Sequence, residues 1–138
     1  QAVQWLAFAS NAFNTLVPFY AAVDETPEYL ANTTKEVSTE NFYWSARMIA
    51  AMADASFAKS AIHIERYQNA VEAKGHALLN KYDKEAEKAA DPAESRRLLA
   101  EANREIAKML KEETGNTLDH VLFELSNSMK NAFSRSDA

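Results

Sequence analysis

Two residue types that many globular proteins use freely are missing or scarce in this sequence. There is no cysteine, which excludes disulfides, zinc–thiolate sites and a thiol nucleophile within these residues. The absence of cysteine also fits a reducing compartment, and we expect the protein to be cytoplasmic. Gly75 and Gly115 are the two glycines and lie far apart, so no glycine-rich nucleotide loop is present. Low glycine with abundant alanine, glutamate, lysine and leucine favours helix.

A basic excess and a long apolar run are missing as well. The net charge is −5, and a nucleic-acid interface would need a basic patch or stripe. No apolar stretch approaches the roughly 20 residues of a membrane span, and the first residues lack the form of a signal peptide. We therefore predict neither a nucleic-acid partner nor a membrane partner. Because the chain does not begin with methionine, we expect it to be processed or truncated.

The sequence does contain a strong contrast between its two ends. Residues 1–58 carry six acidic and two basic side chains, whereas residues 59–113 carry eleven of each. The leading segment, residues 1–38, is apolar and aromatic. It has extended or β character at residues 3–9 and 15–20, and from residue 21 onward it predicts a surface loop. A stable sheet needs more strands and the later sequence supplies none, so we expect partners outside the chain to bury this segment.

The remainder, residues 39–138, predicts a helical region of amphipathic helices joined by short connections. The expected helices cover residues 39–57, 60–90, 92–114 and 116–133. Thr39 is the expected cap of the first helix, Asp91 and Glu94 form a capping box, and Gly115 is expected to end the third helix. The predicted fold class is mainly α: an antiparallel bundle of about four helices with a short extended or β N-terminal segment.

Metal or catalytic patterns are not evident among the titratable residues. Glu72 lies four residues before His76 on one predicted helix, a spacing that could share a metal. However, neither the Glu-x-x-His pairs of di-iron bundles nor a His-Glu-x-x-His run is present. Solvent-facing histidines are the favoured interpretation, and a helical metal enzyme is left as a third alternative. We predict no metal, no cofactor and no catalytic residue in this chain.

Two groups of residues are candidates for contact with a small substrate. Asn11 and Asn14 follow the first predicted strand, where asparagine is commonly a turn residue but can also donate to an oxyanion or a substrate amide. Arg47 follows an aromatic run at residues 42–44, which is typical of core packing or of a pocket wall. Its guanidinium group can bind a carboxylate through two hydrogen bonds. Asn11, Asn14 and Arg47 are therefore the predicted substrate-binding residues.

Several stretches resemble the dipeptidase A family of bacterial cysteine dipeptidases. They are QWLAFASNAFNTLVPFY at residues 4–20, TPEY at 26–29, NFYWSAR at 41–47 and IERYQ at 64–68. The resemblance is specific over residues 1–70 and only compositional beyond them. It implies an N-terminal-nucleophile hydrolase with a four-layer αββα core. In such an enzyme the thiol of an N-terminal cysteine attacks the peptide carbonyl of a dipeptide, and its own α-amino group serves as the base.

The chain departs from this pattern at the nucleophile, since it has no cysteine and Gln1 carries an amide. The resemblance therefore implies the C-terminal region of a dipeptidase, inactive alone, with dipeptides bound by the parent enzyme. Residues 1–38 would belong to the hydrolase core and residues 39–138 would form a helical C-terminal region. We also expect a homo-oligomer. The alternative is a non-catalytic helical module for protein interaction or oligomerisation.

Overall fold

A computed structural model describes residues 2–7 and 15–137, with side chains described as far as residue 129. The elements in chain order are β1 (Val3–Leu6), β2 (Val17–Tyr20), α1 (Glu28–Ala31), α2 (Phe42–Ala55), α3 (Phe57–Glu87) and α4 (Pro92–Asp137). The predicted mainly α fold class is confirmed, because the described residues are mainly helical and form four helices with a short antiparallel β pair near the start. Within this described part, no helix combines the length and apolar character that a membrane crossing requires.

The last helix is longer than the sequence predicts. α4 is a single helix of 46 residues that runs through Gly115, about 70 Å long at 1.5 Å per residue. Gly115 does not have a positive φ, so its prediction as a C-cap residue that separates two helices was wrong. Thr114, Thr117 and Leu118 around it are buried. Their packing stabilises the helix and outweighs the free energy of roughly 1 kcal/mol that a glycine in a helix costs relative to alanine.

Two helix starts depend on side-chain capping. Asn41, and not Thr39 as predicted, caps α2: its side-chain oxygen accepts a hydrogen bond at 2.9 Å from the N–H three residues further on. At α4 the predicted cap Asp91 is confirmed, whereas Glu94 bonds the N–H of the residue before Asp91 and not that of Asp91, as a capping box would require. The Asp91 carboxylate accepts from the N–H of Glu94 at 2.8 Å, and the Glu94 carboxylate accepts from the N–H of Ala90 at 3.1 Å.

The predicted loop after β2 contains one short helix, α1, and is attached to the start of α2. The indole N–H of Trp44 donates to the carbonyl oxygen of Thr34 at 2.7 Å. The side-chain amide of Asn41 donates to the Thr34 hydroxyl at 3.3 Å. Tyr29 of α1 is buried with its ring centroid 5.9 Å from that of Phe42. These contacts hold the segment against the N-terminal end of α2.

The core joins β2 to the helices. Its main cluster combines residues of β2, one residue each of α1 and α2, and the facing sides of α3 and α4. Its members are Val17, Phe19, Tyr20, Tyr29, Phe42, Tyr67, Val71, Leu79, Tyr82, Leu99, Ala102, Ile106, Ala107, Met109 and Leu110. A second cluster joins α2 to α3 and α4 through Ile49, Ala53, Ile64, Leu118 and Val121. The amphipathic character expected of the helices is seen here, because α2, α3 and α4 each bury one side in these clusters.

The two strands differ sharply in burial. They pair antiparallel, with Val3 opposite Tyr20 and Leu6 opposite Val17. β2 is buried along its whole length, whereas β1 is mostly exposed. The expectation that the leading segment lacks cover within the chain was therefore wrong for β2, which the chain's own helices bury. β1 lies at the surface.

Candidate functional site

A cleft between the β pair and α3 is the candidate binding site. Its volume is about 570 Å³, within the range of small-molecule sites. The described residues that line it are Trp5, Thr15, Leu16, Gln68, Glu72 and His76. It lies at the boundary between the apolar leading segment and the charged helical region.

The cleft has a polar side and an apolar side. Gln68, Glu72 and His76 occur every four residues on α3 and therefore lie along one face of that helix. Trp5 and Leu16 form the apolar side and are 36% and 56% exposed. The Trp5 indole and the His76 imidazole meet across the cleft, with ring centroids 4.9 Å apart and a tilt of 48°.

The close approach of β2 to α3 positions these groups. Gly75 leaves room for Pro18, since a Cβ at position 75 would lie 3.0 Å from two carbon atoms of the proline ring. Trp5 lies opposite Pro18 in the β pair, which brings its ring next to His76, the neighbour of Gly75. A side chain at position 75 would move β2 away from α3 and widen the cleft.

The described residues of the cleft offer binding groups and not a complete catalytic set. The Glu72 carboxylate can accept hydrogen bonds from an ammonium group, and the Gln68 amide can donate and accept. The face of the Trp5 indole can cover an apolar or cationic group. The hydroxyl among the described lining residues belongs to Thr15, which is only 3% exposed. The arrangement favours recognition of a small ligand that carries both a cationic and an apolar group.

The predicted substrate contacts lie apart from this cleft or outside the described residues. The guanidinium carbon of Arg47 is 5.5 Å from the ring centroid of Tyr43 and 6.0 Å from that of Trp44, an exposed cation–π arrangement on α2. Arg47 does not line the cleft. Asn11 and Asn14 lie outside the described residues. Substrate contact by Asn11, Asn14 and Arg47 therefore stays a prediction.

A second polar cluster lies where α3 and α4 meet. The rings of His63 and His120 are stacked, with centroids 5.0 Å apart and an angle of 18° between their planes. The Nε2 atom of His63 is 3.3 Å from a carboxylate oxygen of Glu124. Stacked parallel rings do not direct their lone pairs at a common point. Across the described residues, no group of three or more histidine and acidic side chains could hold a metal ion.

Two buried tyrosines near α3 act as structural groups. Burial raises the pKa of Tyr20 well above its ordinary value, and the 2.7 Å hydrogen bond that its hydroxyl donates to Asp83 raises it further. Burial also raises the pKa of Tyr67, whose hydroxyl shares a 2.9 Å hydrogen bond with that of Thr114. Both hydroxyls are protonated at neutral pH, so neither supplies a general base.

Sequence reasoning found only part of the cleft. The Glu72–His76 pair was noted as a possible metal pair, whereas Gln68 and Trp5 were missed. The four-residue spacing that continues back from Glu72 to Gln68 was an available signal. The position of Trp5 follows from the register of the β pair, which the sequence pattern alone does not specify.

Comparison with known proteins gives a consistent result. Residues 1–70 match the group described as Peptidase family C69. Over 99% of its length, the chain is 40% identical to a protein named Dipeptidase from Bifidobacterium longum, covering 33% of that protein. It is 41% identical to a Probable dipeptidase A from Streptococcus pyogenes serotype M3, covering 28% of it. Dipeptidase A from Lactobacillus helveticus is 27% identical over 88% of the chain and 25% of that protein.

Two facts follow from these matches. The chain spans about a third or less of the length of these relatives. The resemblance to the dipeptidase A family is confirmed, because the family match covers half of the chain and the relatives extend over nearly all of it. The chain belongs to peptidase family C69.

Proposed function

We propose that this chain is the C-terminal region of a cytoplasmic dipeptidase with an N-terminal-nucleophile fold. Its cysteine nucleophile would lie outside these residues. The observation that carries the proposal is the family match at residues 1–70, together with relatives named as dipeptidases. The absence of cysteine from the sequence and the lack of a nucleophile–base pair among the described cleft residues fit a catalytic group located elsewhere in the parent enzyme.

In the proposed reaction, the cysteine sulfur attacks the carbonyl carbon of the dipeptide. The α-amino group of the cysteine takes the thiol proton and transfers it to the leaving amine. Water then hydrolyses the thioester and regenerates the thiol. This chain would contribute binding and cover. Its cleft offers the Glu72 carboxylate to the substrate ammonium group, and α3 and α4 cover β2 of the core sheet.

The test compares the full-length product of the gene with this chain alone. We expect the full-length protein to hydrolyse a panel of dipeptides and the isolated chain to show no activity. Replacement of the N-terminal cysteine of the full-length product by alanine should remove the activity, while circular dichroism reports an unchanged fold. A correctly folded full-length protein that hydrolyses no dipeptide of the panel would overturn the proposal.

A second candidate is a helical interaction module without catalysis. It is favoured by the exposed apolar side chains in the last part of α4, where Leu122, Phe123 and Met129 are 50%, 68% and 64% exposed. A helix face of this kind can bind another helix. An inert full-length protein that forms a stable complex through this part of α4 would support the module.

A further inference from the structure

A second cavity lies between α4 and the segments that carry α1 and the start of α2. Its volume is about 420 Å³, within the range of small-molecule sites. It shares no described lining residue with the cleft at α3. Tyr29 of α1 and Ser45 of α2 form its buried wall and are 9% and 2% exposed. Lys111, Gly115 and Asp119 line it from α4.

Gly115 is the lining residue whose identity the chain's own packing does not explain. It lies inside α4, where a glycine costs about 1 kcal/mol relative to alanine. The other helical glycine, Gly75, makes room for Pro18, but the Cβ position of Gly115 meets no described atom within 4 Å beyond its chain neighbours and its own helix backbone. A glycine permits a ligand to approach the backbone closely. The open space above Gly115 is therefore a place where a bound molecule can lie.

Side chains of opposite charge stand on either side of this space. Lys111 is four residues before Gly115 and Asp119 is four residues after it, so the three lie on one face of α4. The Lys111 ammonium group donates to Glu40 at 2.7 Å, and with three donors it can bind a second carboxylate as well. Glu112 also lines a groove that contains two lysines, which offset its charge. The cavity therefore suits a ligand with a carboxylate at one end and an ammonium group at the other.

The separation of the two charged residues sets the length of the ligand. Lys111 and Asp119 are eight residues apart, which is about 12 Å along the axis of α4. Charge-assisted hydrogen bonds of about 2.8 Å at the two ends leave about 6 Å for the molecule itself. Two residues of extended chain span up to about 7 Å, and one residue about half of that. A dipeptide reaches both ends, whereas a free amino acid is too short.

Neutral polar groups of the lining can bind the middle of such a ligand. The Tyr29 hydroxyl interacts with the hydroxyls of Ser45 and Thr114, and burial raises the pKa of Tyr29 above its ordinary value. This hydroxyl is therefore protonated at neutral pH and can donate a hydrogen bond. Asn116, which also lines the cavity, offers both a donor and an acceptor to a peptide group.

We propose that this cavity binds a dipeptide in its zwitterionic form. The carboxylate lies at Lys111, the ammonium group at Asp119 and the peptide backbone over Gly115. The inference goes beyond the proposed function, because binding at this cavity requires no hydrolysis. The cavity is thus a second binding site of the chain, in addition to the cleft at α3.

NMR of the full-length gene product tests the proposal, with isotope labelling of the glycine nitrogens and glycylsarcosine as the probe. The methylated amide of this dipeptide resists hydrolysis, so the measurement does not depend on activity. The Gly115 amide signal is identified by its loss in Gly115→Ala. We expect glycylsarcosine to shift this signal saturably and free glycine to bind at least about tenfold more weakly. An unperturbed Gly115 signal, or equal affinities for the two probes, would overturn the proposal.

Two charge variants of the full-length protein assign the ends of the ligand. Lys111→Met and Asp119→Asn should each weaken the binding of glycylsarcosine by at least about fivefold. Lys108→Met, on the preceding turn of α4 and outside the described lining of this cavity, is the matched control and should change the affinity by less than about twofold. Unchanged affinity in both charge variants, or an equal loss in the control, would overturn the proposal.

A modified probe distinguishes the ammonium contact from a general effect of charge. N-acetylglycylsarcosine lacks the ammonium group, so it should bind weakly and Asp119→Asn should not weaken it further. A further loss of the same size would overturn the assigned orientation. An inert full-length protein with a saturable Gly115 shift would contradict the proposed function alone, and an active protein without this shift would contradict the cavity alone.

Discussion

At the scale of single residues, Tyr20 connects three elements. Its hydroxyl donates to Asp83 at 2.7 Å and to the carbonyl oxygen of Leu79 at 3.1 Å, both on α3. Its backbone N–H and carbonyl group are bonded to Asn103 of α4. Every polar group of this buried residue has a partner, which is the condition for burying it without a large loss of free energy. Asn103 is well suited to its position because an amide side chain offers both a donor and an acceptor.

Asn103→Ala should destabilise the protein by about 2–3 kcal/mol, because it leaves the backbone N–H and carbonyl group of Tyr20 unpaired in a buried place. The measurement is the free energy of unfolding from urea denaturation. Asn80→Ala on the exposed side of α3 is the matched control and should change this free energy by no more than about 0.5 kcal/mol. A similar effect of the two substitutions would show that the Asn103 hydrogen bonds contribute little.

At the scale of elements, the contact between β2 and α3 depends on a missing side chain. Gly75 is buried on α3 beneath Pro18. By contrast, no described atom beyond the adjoining residues and backbone of its own helix lies within 4 Å of the Cβ position of Gly115 on α4. Both glycines are inside helices and carry the same intrinsic cost relative to alanine, about 1 kcal/mol. Their surroundings therefore decide the effect of adding a methyl group.

Gly75→Ala and Gly115→Ala should have opposite effects on stability. At position 75, overpacking against the rigid proline ring costs about 1–3 kcal/mol, which exceeds the gain in helix propensity, so the free energy of unfolding decreases. At position 115, the same substitution should increase it by up to about 1 kcal/mol. Urea denaturation of both variants measures the two signs. A stabilising Gly75→Ala substitution would contradict the overpacking argument. If contact with the Pro18 ring causes the loss of stability, Pro18→Ala should reduce that loss when it is combined with Gly75→Ala.

Local chemistry in the sequence was sufficient for some element boundaries and not for others. The cap at Asp91 and the helical character of residues 60–87 on α3 followed from spacing and residue type alone. The break expected at Gly115 did not occur, because tertiary packing of the flanking residues outweighs a local cost of about 1 kcal/mol. The cleft was only partly predictable. The contact between Trp5 and His76 depends on the register of the β pair and on the space that Gly75 leaves for β2. The sequence pattern specifies neither of them.

At the scale of the whole molecule, α4 organises the structure. It contacts β2 near its start, α3 along much of its length and α2 through Leu118 and Val121. These contacts bury β2 within the chain and leave β1 at the margin of the body. The molecule therefore has a closed helical side and an open strand edge, and the open edge is where we expect association to occur when the rest of the enzyme is absent.

We expect the isolated chain to self-associate weakly through β1, in a concentration-dependent manner. Trp5→Lys should reduce this association, because a lysine on an edge strand opposes pairing with another strand. Phe123→Lys on α4 is the matched control, since Phe123 is another exposed aromatic residue, at 68%, located away from the strands. Sedimentation velocity at several concentrations distinguishes the two surfaces. If Phe123→Lys yields monomers and Trp5→Lys does not, the contact lies on α4 and the interaction-module candidate gains support.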